Sequence, residues 1–252
     1  MHMGFMPTDT VFANGTGFIY QQDDRVYLIT NWHNVTGRDP ASGVCLSKTL
    51  ATPDTITTYF RHPYQVGMGR REHLKLYRDD AMREPAWFEH PTFGREVDVV
   101  ALPLANQLRS KYRLFPINAI EFDSGFKEEV ADDAFVVGYP FADMTYASLP
   151  IWKRASLASE PDIDLDRLPK MLIDTATRPG LSGSPVIMQR VGLHGKSAVL
   201  SSDTIIGRIR NFVGVYSGRI GNDELKAQLG IVWKARVISE ILSAKKLGEI
   251  PA

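Results

Sequence analysis

The residues best suited to chemistry lie in Arg178-Pro179-Gly180-Leu181-Ser182-Gly183-Ser184-Pro185, which runs directly into the apolar segment Val186-Ile187-Met188. Glycines on both sides of Leu181-Ser182 permit a tight turn that exposes the hydroxyl and leaves backbone N–H groups uncommitted. An exposed hydroxyl beside free amides suits nucleophilic attack on a carbonyl, with the amides positioned to receive an oxyanion. Gly-Ser-Pro clusters also make plain turns, so this stretch alone leaves both readings open. The second unusual residue is Asp98, within Glu96-Val97-Asp98-Val99-Val100-Ala101-Leu102. A carboxylate leading into an apolar strand, if buried and ionised, costs several kcal/mol unless a donor meets it, so it calls for a partner.

The spelling around Ser182 resembles the Gly-x-Ser-Gly-(Gly/Ser)-Pro signature of chymotrypsin-like serine peptidases. Three further segments carry the likeness. Tyr27-Leu28-Ile29-Thr30-Asn31-Trp32-His33-Asn34-Val35 is similar to the family's strand ending in Thr-x-x-His, and Gly15-Thr16-Gly17-Phe18-Ile19 resembles the strand that precedes it. The Asp98 segment resembles the family's Asp-(Ile/Val)-Ala-Leu, down to the upstream His90-Pro91. The resemblance implies a triad of His33 as general base, Asp98 as its orienting carboxylate and Ser182 as nucleophile, with the Gly180 and Ser182 amides as oxyanion hole. The chain order His, Asp, Ser is that of chymotrypsin-type enzymes and differs from that of subtilisins and α/β-hydrolases. Glu96 is the competing carboxylate but lacks the motif position. The remaining histidines, His2, His62, His73, His90 and His194, are expected to be structural or surface residues.

The likeness extends further. Phe135-Val136-Val137-Gly138-Tyr139-Pro140 looks like the strand opening the second barrel of bacterial trypsin-like and high-temperature-requirement peptidases. Phe212 to Gly218 resembles the strand along which substrate backbone pairs, so Ser217, Gly218 and Arg219 are expected to line the groove. Ala176 and Thr177, with Tyr216 and Arg219 facing them, are the expected specificity pocket. Two departures matter. Leu181 stands where zymogen-activated relatives carry an aspartate, and no mature start of the Ile-Val-Gly-Gly kind is present, so propeptide cleavage is not expected to activate the chain. No carboxylate occupies Ala176, which disfavours Lys or Arg before the scissile bond. Thr177 is similar to glutamyl endopeptidases, but Tyr216 matches their pocket histidine, leaving a small, apolar or acidic side chain as the expected preference.

Such a site needs rigid elements around it. Short β-type runs separated by turn residues cover Thr16–Tyr20, Val26–Thr30, Thr55–Arg61, Leu74–Arg78 and Val97–Leu102 in the first part. Ala134–Gly138, Ile151–Leu157, Lys170–Thr175, Pro185–Met188, Thr204–Ile209, Phe212–Ser217 and Leu229–Trp233 follow in the second. This texture predicts an all-β chain, and with the resemblance it implies two six-stranded antiparallel β-barrels of chymotrypsin type. One peptidase domain is expected over 1–252: a first barrel at about 1–105, a connector at about 106–125, and a second barrel with a terminal helix at about 126–252. Val237, Ile238, Ile241, Leu242 and Lys245 at helical spacing predict that helix over Arg236–Leu247, with Gly248 as its stop.

Composition narrows the function classes. Of 252 residues, 44% are hydrophobic and 23% charged, as in ordinary globular proteins. Lys plus Arg and Asp plus Glu number 29 each, so no summed field favours nucleic acid. Met1 to Thr10 lacks a basic region followed by an apolar run, and no stretch approaches the roughly 20 apolar residues of a membrane span. The single cysteine, Cys45, excludes an internal disulfide framework and fits a reducing, cytoplasmic setting. No metal-ligand spacing is visible, so neither metal nor cofactor is expected. The expected partner is a protein or peptide substrate; oligomeric state is not legible. The rival reading is a catalytically silent module that keeps the fold and holds a peptide in its groove.

Overall fold

The computed structural model describes the chain except for residues 1, 6–9, 49, 63, 65–67, 124–125, 141–148, 177, 195–203, 220–227 and 251–252. The first half contains β1 (His2–Phe5), β2 (Thr10–Asn14), β3 (Phe18–Gln22), β4 (Arg25–Thr30), the one-turn helix α1 (Trp32–Thr36), β5 (Thr55–Arg61), β6 (Gly69–Lys75) and β7 (Val100–Pro103). After helix α2 (Gln107–Lys111) come β8 (Asp133–Gly138), β9 (Ile151–Leu157), β10 (Lys170–Asp174), β11 (Pro185–His194), β12 (Ile205–Arg219), β13 (Leu229–Lys234) and the terminal helix α3 (Arg236–Ala244).

The second half closes into a six-stranded barrel in the order β10-β13-β12-β11-β8-β9, with antiparallel ladders throughout. Its inward-facing residues, among them Val136, Leu157, Ile173, Leu181, Val186, Met188 and Val232, form one buried cluster. The first half differs from the expected closed barrel. Its strands form two separate sheets, β3-β4-β7 and β2-β1-β5-β6. The two sheets share a core nonetheless: Val26 and Leu28 of β4 and Val100 and Leu102 of β7 pack with Ile56 and Phe60 of β5, around Trp32 and Trp87.

Several of the expected strands change. Thr204–Ile209 and Phe212–Ser217 are one continuous strand, because the polar pair Arg210-Asn211 that interrupts the apolar pattern stays in the ladder opposite Gln189 and Met188. The Arg210 and Asn211 side chains bond Gln189 Oε1 and Glu128 Oε1, both at distances of 2.9 Å or less. The strand expected at Leu74–Arg78 lies earlier, as β6 (Gly69–Lys75), and the one expected at Val97–Leu102 begins only at Val100.

A third apolar cluster joins the halves. Tyr27, Ile29, Val97, Val99 and Ala101 from the first half meet Val215 and Trp233 of the barrel and Val237, Ile238, Ile241 and Leu242 of α3. The helix ends at Ala244, with Lys245 in the left-handed region (φ 50°), so it stops before Gly248. Among the described residues no helix is long and apolar enough to cross a membrane.

Candidate active site

His33 is placed by β4 and α1. The apolar run Val26–Ile29 is buried in the sheet, and the chain then turns through Asn31 into a single helical turn whose Trp32, Asn34, Val35 and Thr36 are all buried. His33 faces the other way, its side chain 17% exposed.

Asp98 sits in the segment leading to β7. Val97 and Val99 on either side are fully buried toward α3, so alternation turns the carboxylate to the opposite face, where it is 1% exposed. Its donors are all present. His33 Nδ1 lies 2.6 Å from Asp98 Oδ2, the His33 backbone N–H donates to Oδ1 at 2.9 Å, and the Ser217 hydroxyl donates to Oδ2. Asn31 Nδ2 donates to the Asp98 carbonyl at 2.6 Å, tying the N-cap of α1 to the same segment. An ionised carboxylate only accepts, so the His33 proton resides on Nδ1 and the Nε2 lone pair is left to accept. Burial opposes the charged imidazole, but the charge and hydrogen bond of Asp98 outweigh it, and the His33 pKa rises above its ordinary 6.5. Glu96, the competing carboxylate, is exposed.

The Asp98 segment is braced from behind by His90. Its Nδ1 accepts the N–H groups of Thr92 and Phe93, which leaves the proton on Nε2 for Glu240 of α3 at 2.7 Å. His90 is thus a buried structural histidine, as expected, and His62 and His73 are exposed. The side chains of His2 and His194 lie outside the described residues.

Ser182 occupies a turn that opens β11. Leu181 N–H bonds the Arg178 carbonyl, Ser184 N–H bonds Leu181, and Gly183 N–H reaches the Tyr216 carbonyl at 2.8 Å. Gly183 has φ 86°, and a Cβ there would lie 2.1 Å from the Thr16 carbonyl oxygen, so the position requires glycine. The amides of Gly180 and Ser182 have no partner among the described residues. The Ser182 carbonyl accepts the Thr16 N–H at 2.8 Å and the Asn34 side-chain N–H at 3.1 Å, which fastens the turn to the residue next to His33. The Ser182 hydroxyl makes no hydrogen bond among the described residues.

The expected pocket residues divide. Ala176 is half-buried, Gly218 has φ 106°, Thr177 lies outside the described residues, and Arg219 is described in its backbone alone. Ser217 does not merely line the groove, since its hydroxyl is committed to Asp98. Tyr216 is 1% exposed within the barrel core, its ring so close to Gly230 that a Cβ there would lie 2.6 Å from Cε2. Strand alternation carries the signal for this pair: if Ser217 faces Asp98, Tyr216 must face the barrel interior. Asn31, Asn34 and Thr16 had no comparable signal, because their partners lie 67, 148 and 164 residues away in sequence.

A family model described as the trypsin-like peptidase domain matches residues 15–193, a span that contains His33, Asp98 and Ser182. Among curated proteins no sequence match is found. Among solved structures the serine endoprotease from Yersinia pestis aligns with a TM-score of 0.50 at 13% identity, covering 96% of this chain and 60% of that chain. The chain therefore spans less than two thirds of that protein, and at this identity the likeness speaks for the fold. With the family model covering well over half of the sequence, the chain belongs to the trypsin-like peptidase domain family.

Proposed function

We propose that the chain is a serine endopeptidase acting on protein or peptide substrates. The observation that carries this reading is the buried Asp98 carboxylate, 1% exposed, with His33 Nδ1 at 2.6 Å, on the helix whose Asn34 holds the Ser182 carbonyl. His33 Nε2 takes the proton of Ser182 Oγ as that oxygen attacks the substrate carbonyl, and Asp98 stabilises the imidazolium that forms. The Gly180 and Ser182 amides receive the oxyanion. Collapse breaks the C–N bond, His33 gives its proton to the leaving amine, and an acyl group remains on Ser182. Water then attacks with His33 again as base, releasing the acid and regenerating the hydroxyl.

Substrate backbone pairs along Ser217–Arg219. On one side this segment is held by β13, through Gly218 opposite Ile231 and Arg219 opposite Gly230. On the other, the β11 ladder ends at Pro185 opposite Val215, leaving an edge that an extended peptide can extend. Among the described side chains, Ala176 and Tyr216 stand at the pocket for the residue before the scissile bond. The Tyr216 ring, packed over Gly230 and buried in the barrel, supports a shallow pocket for a small, apolar or acidic side chain. The two first-half sheets, sharing one core, act as the faces of the first barrel of a single peptidase domain.

A fluorophosphonate probe tests the proposal. Labelling of the native chain and its loss in Ser182→Ala is the expected result. A folded native chain that takes no label would assign the groove to peptide holding instead.

A further inference from the structure

Thr16 stands before β3, far in sequence from the Ser182 turn, yet four hydrogen bonds converge on it. Its hydroxyl donates to the Gly180 carbonyl at 2.7 Å and accepts the Tyr139 N–H at 3.1 Å. Its N–H donates to the Ser182 carbonyl at 2.8 Å, and its own carbonyl accepts the Thr30 hydroxyl at 2.8 Å. Asn34 completes the ring: one Nδ2 hydrogen goes to Thr30 Oγ1 at 2.9 Å and the other to the Ser182 carbonyl at 3.1 Å. Thr16, Thr30 and Asn34 are each 2% exposed or less, so these bonds are made away from water.

The carbonyls of Gly180 and Ser182 are therefore both gripped by the first half of the chain, while among the described residues the amides of the same two residues have no partner. Gly180 has φ 93°, and glycine can leave such a conformation at little cost. Rotation about its backbone would swing the Gly180 N–H away from the Ser182 N–H. The Thr16 hydroxyl, by holding the Gly180 carbonyl, opposes that rotation.

We propose that Thr16 and Asn34 are positioning residues that hold the Gly180–Ser182 turn with its two amides convergent, and so set the strength of the oxyanion hole from outside it. The inference rests on the peptidase reading above. Thr16 and Asn34 do not touch substrate; they act through the turn.

The test compares Thr16→Val, which keeps the shape and removes the hydroxyl, with Thr16→Ser, which keeps the hydroxyl, and with Asn34→Ala. For each, kcat and KM are measured on the best substrate from a peptide thioester library, along with binding of the aldehyde and the alcohol of that peptide sequence. The aldehyde forms a tetrahedral adduct whose oxyanion needs the two amides, and the alcohol does not. Removing an oxyanion donor outright lowers kcat by roughly 100- to 1000-fold, so loosening one through Thr16→Val is expected to lower kcat by roughly 10- to 100-fold. KM and alcohol affinity stay near native, aldehyde affinity falls in step with kcat, and Thr16→Ser restores both. Should Thr16→Val fail to fold, Asn34→Ala carries the same expectation. The inference is overturned if folded Thr16→Val and Asn34→Ala match the native kcat and aldehyde affinity, or if aldehyde and alcohol affinities fall together. A native chain that hydrolyses no library member and binds aldehyde no better than alcohol overturns the peptidase reading instead.

Discussion

Asp98→Asn separates the chemical role of the carboxylate from its structural one. The amide keeps one acceptor oxygen for the His33 backbone N–H but turns an NH2 toward the His33 ring and the Ser217 hydroxyl, both now donors to Asp98. Ser217 can rotate to accept. His33 can accept at Nδ1 only by moving its proton to Nε2, where the base is needed. Exchanging the paired groups costs about 1–3 kcal/mol of stability. The rate cost is larger, since the wrong tautomer lowers kcat roughly 10⁴-fold, and four decades at about 1.4 kcal/mol each come to roughly 5.5 kcal/mol. The pH dependence adds a second signature. In the native chain Asp98 raises the His33 pKa above 6.5 against the opposing effect of burial. The protonated imidazole is better placed folded than unfolded, so its stabilisation is full below pH 6.5 and is lost as pH climbs through the raised value. Hydrolysis, which needs neutral His33, rises through that same window. In Asp98→Asn burial is opposed only by the charge of Asp39, and the acid limb of kcat/KM moves to lower pH. Urea unfolding and kcat/KM between about pH 5 and 9 measure both effects. A folded variant that keeps more than about a tenth of native kcat/KM, or one whose acid limb stays put, refutes the assignment of Asp98.

Two further outcomes follow from the packing. Gly183→Ala places a methyl 2.1 Å from the Thr16 carbonyl oxygen at φ 86°. It is expected to lower stability by more than about 2 kcal/mol, read as a drop in the urea midpoint, and to abolish probe labelling. Glu89 is buried, and desolvation raises its pKa above the usual 4.5 despite the Glu249 N–H and Lys246 beside it. Its contribution to stability is therefore present below pH 4.5 and is lost as pH rises through the raised value. Glu89→Gln is expected to melt higher than native at pH 7 and to flatten that fall, which thermal unfolding at several pH values would detect.

Most strands were legible because their signals are local. Thr55–Arg61 and Ile151–Leu157 are β-branched or apolar runs bounded by turn residues, and the structure begins and ends them where the pattern does. The long β12 was not, since Arg210-Asn211 breaks the apolar pattern and only the opposing Gln189 and Glu128 make those residues compatible with a ladder. The first-half topology was equally hidden, because strand partnership between β1 and β5 is a long-range property that no window contains. At the site, the pairing of His33 with Asp98 was expected from motif spelling, and the structure brings the two together. The Thr16–Asn34 ring was missed because Thr and Asn are ordinary surface residues by composition, and only their burial gives them a task.

The cluster under α3 has a bearing on when the Asp98 segment gains its support. Tyr27, Ile29 and Ala101 are made well before the Val237, Ile238, Ile241 and Leu242 that cover them. Until those four residues leave the ribosome, the segment that carries Asp98 has a bare greasy underside, and His90 lacks Glu240. A nascent copy thus lacks the apolar backing of the Asp98 segment until α3 has emerged and docked.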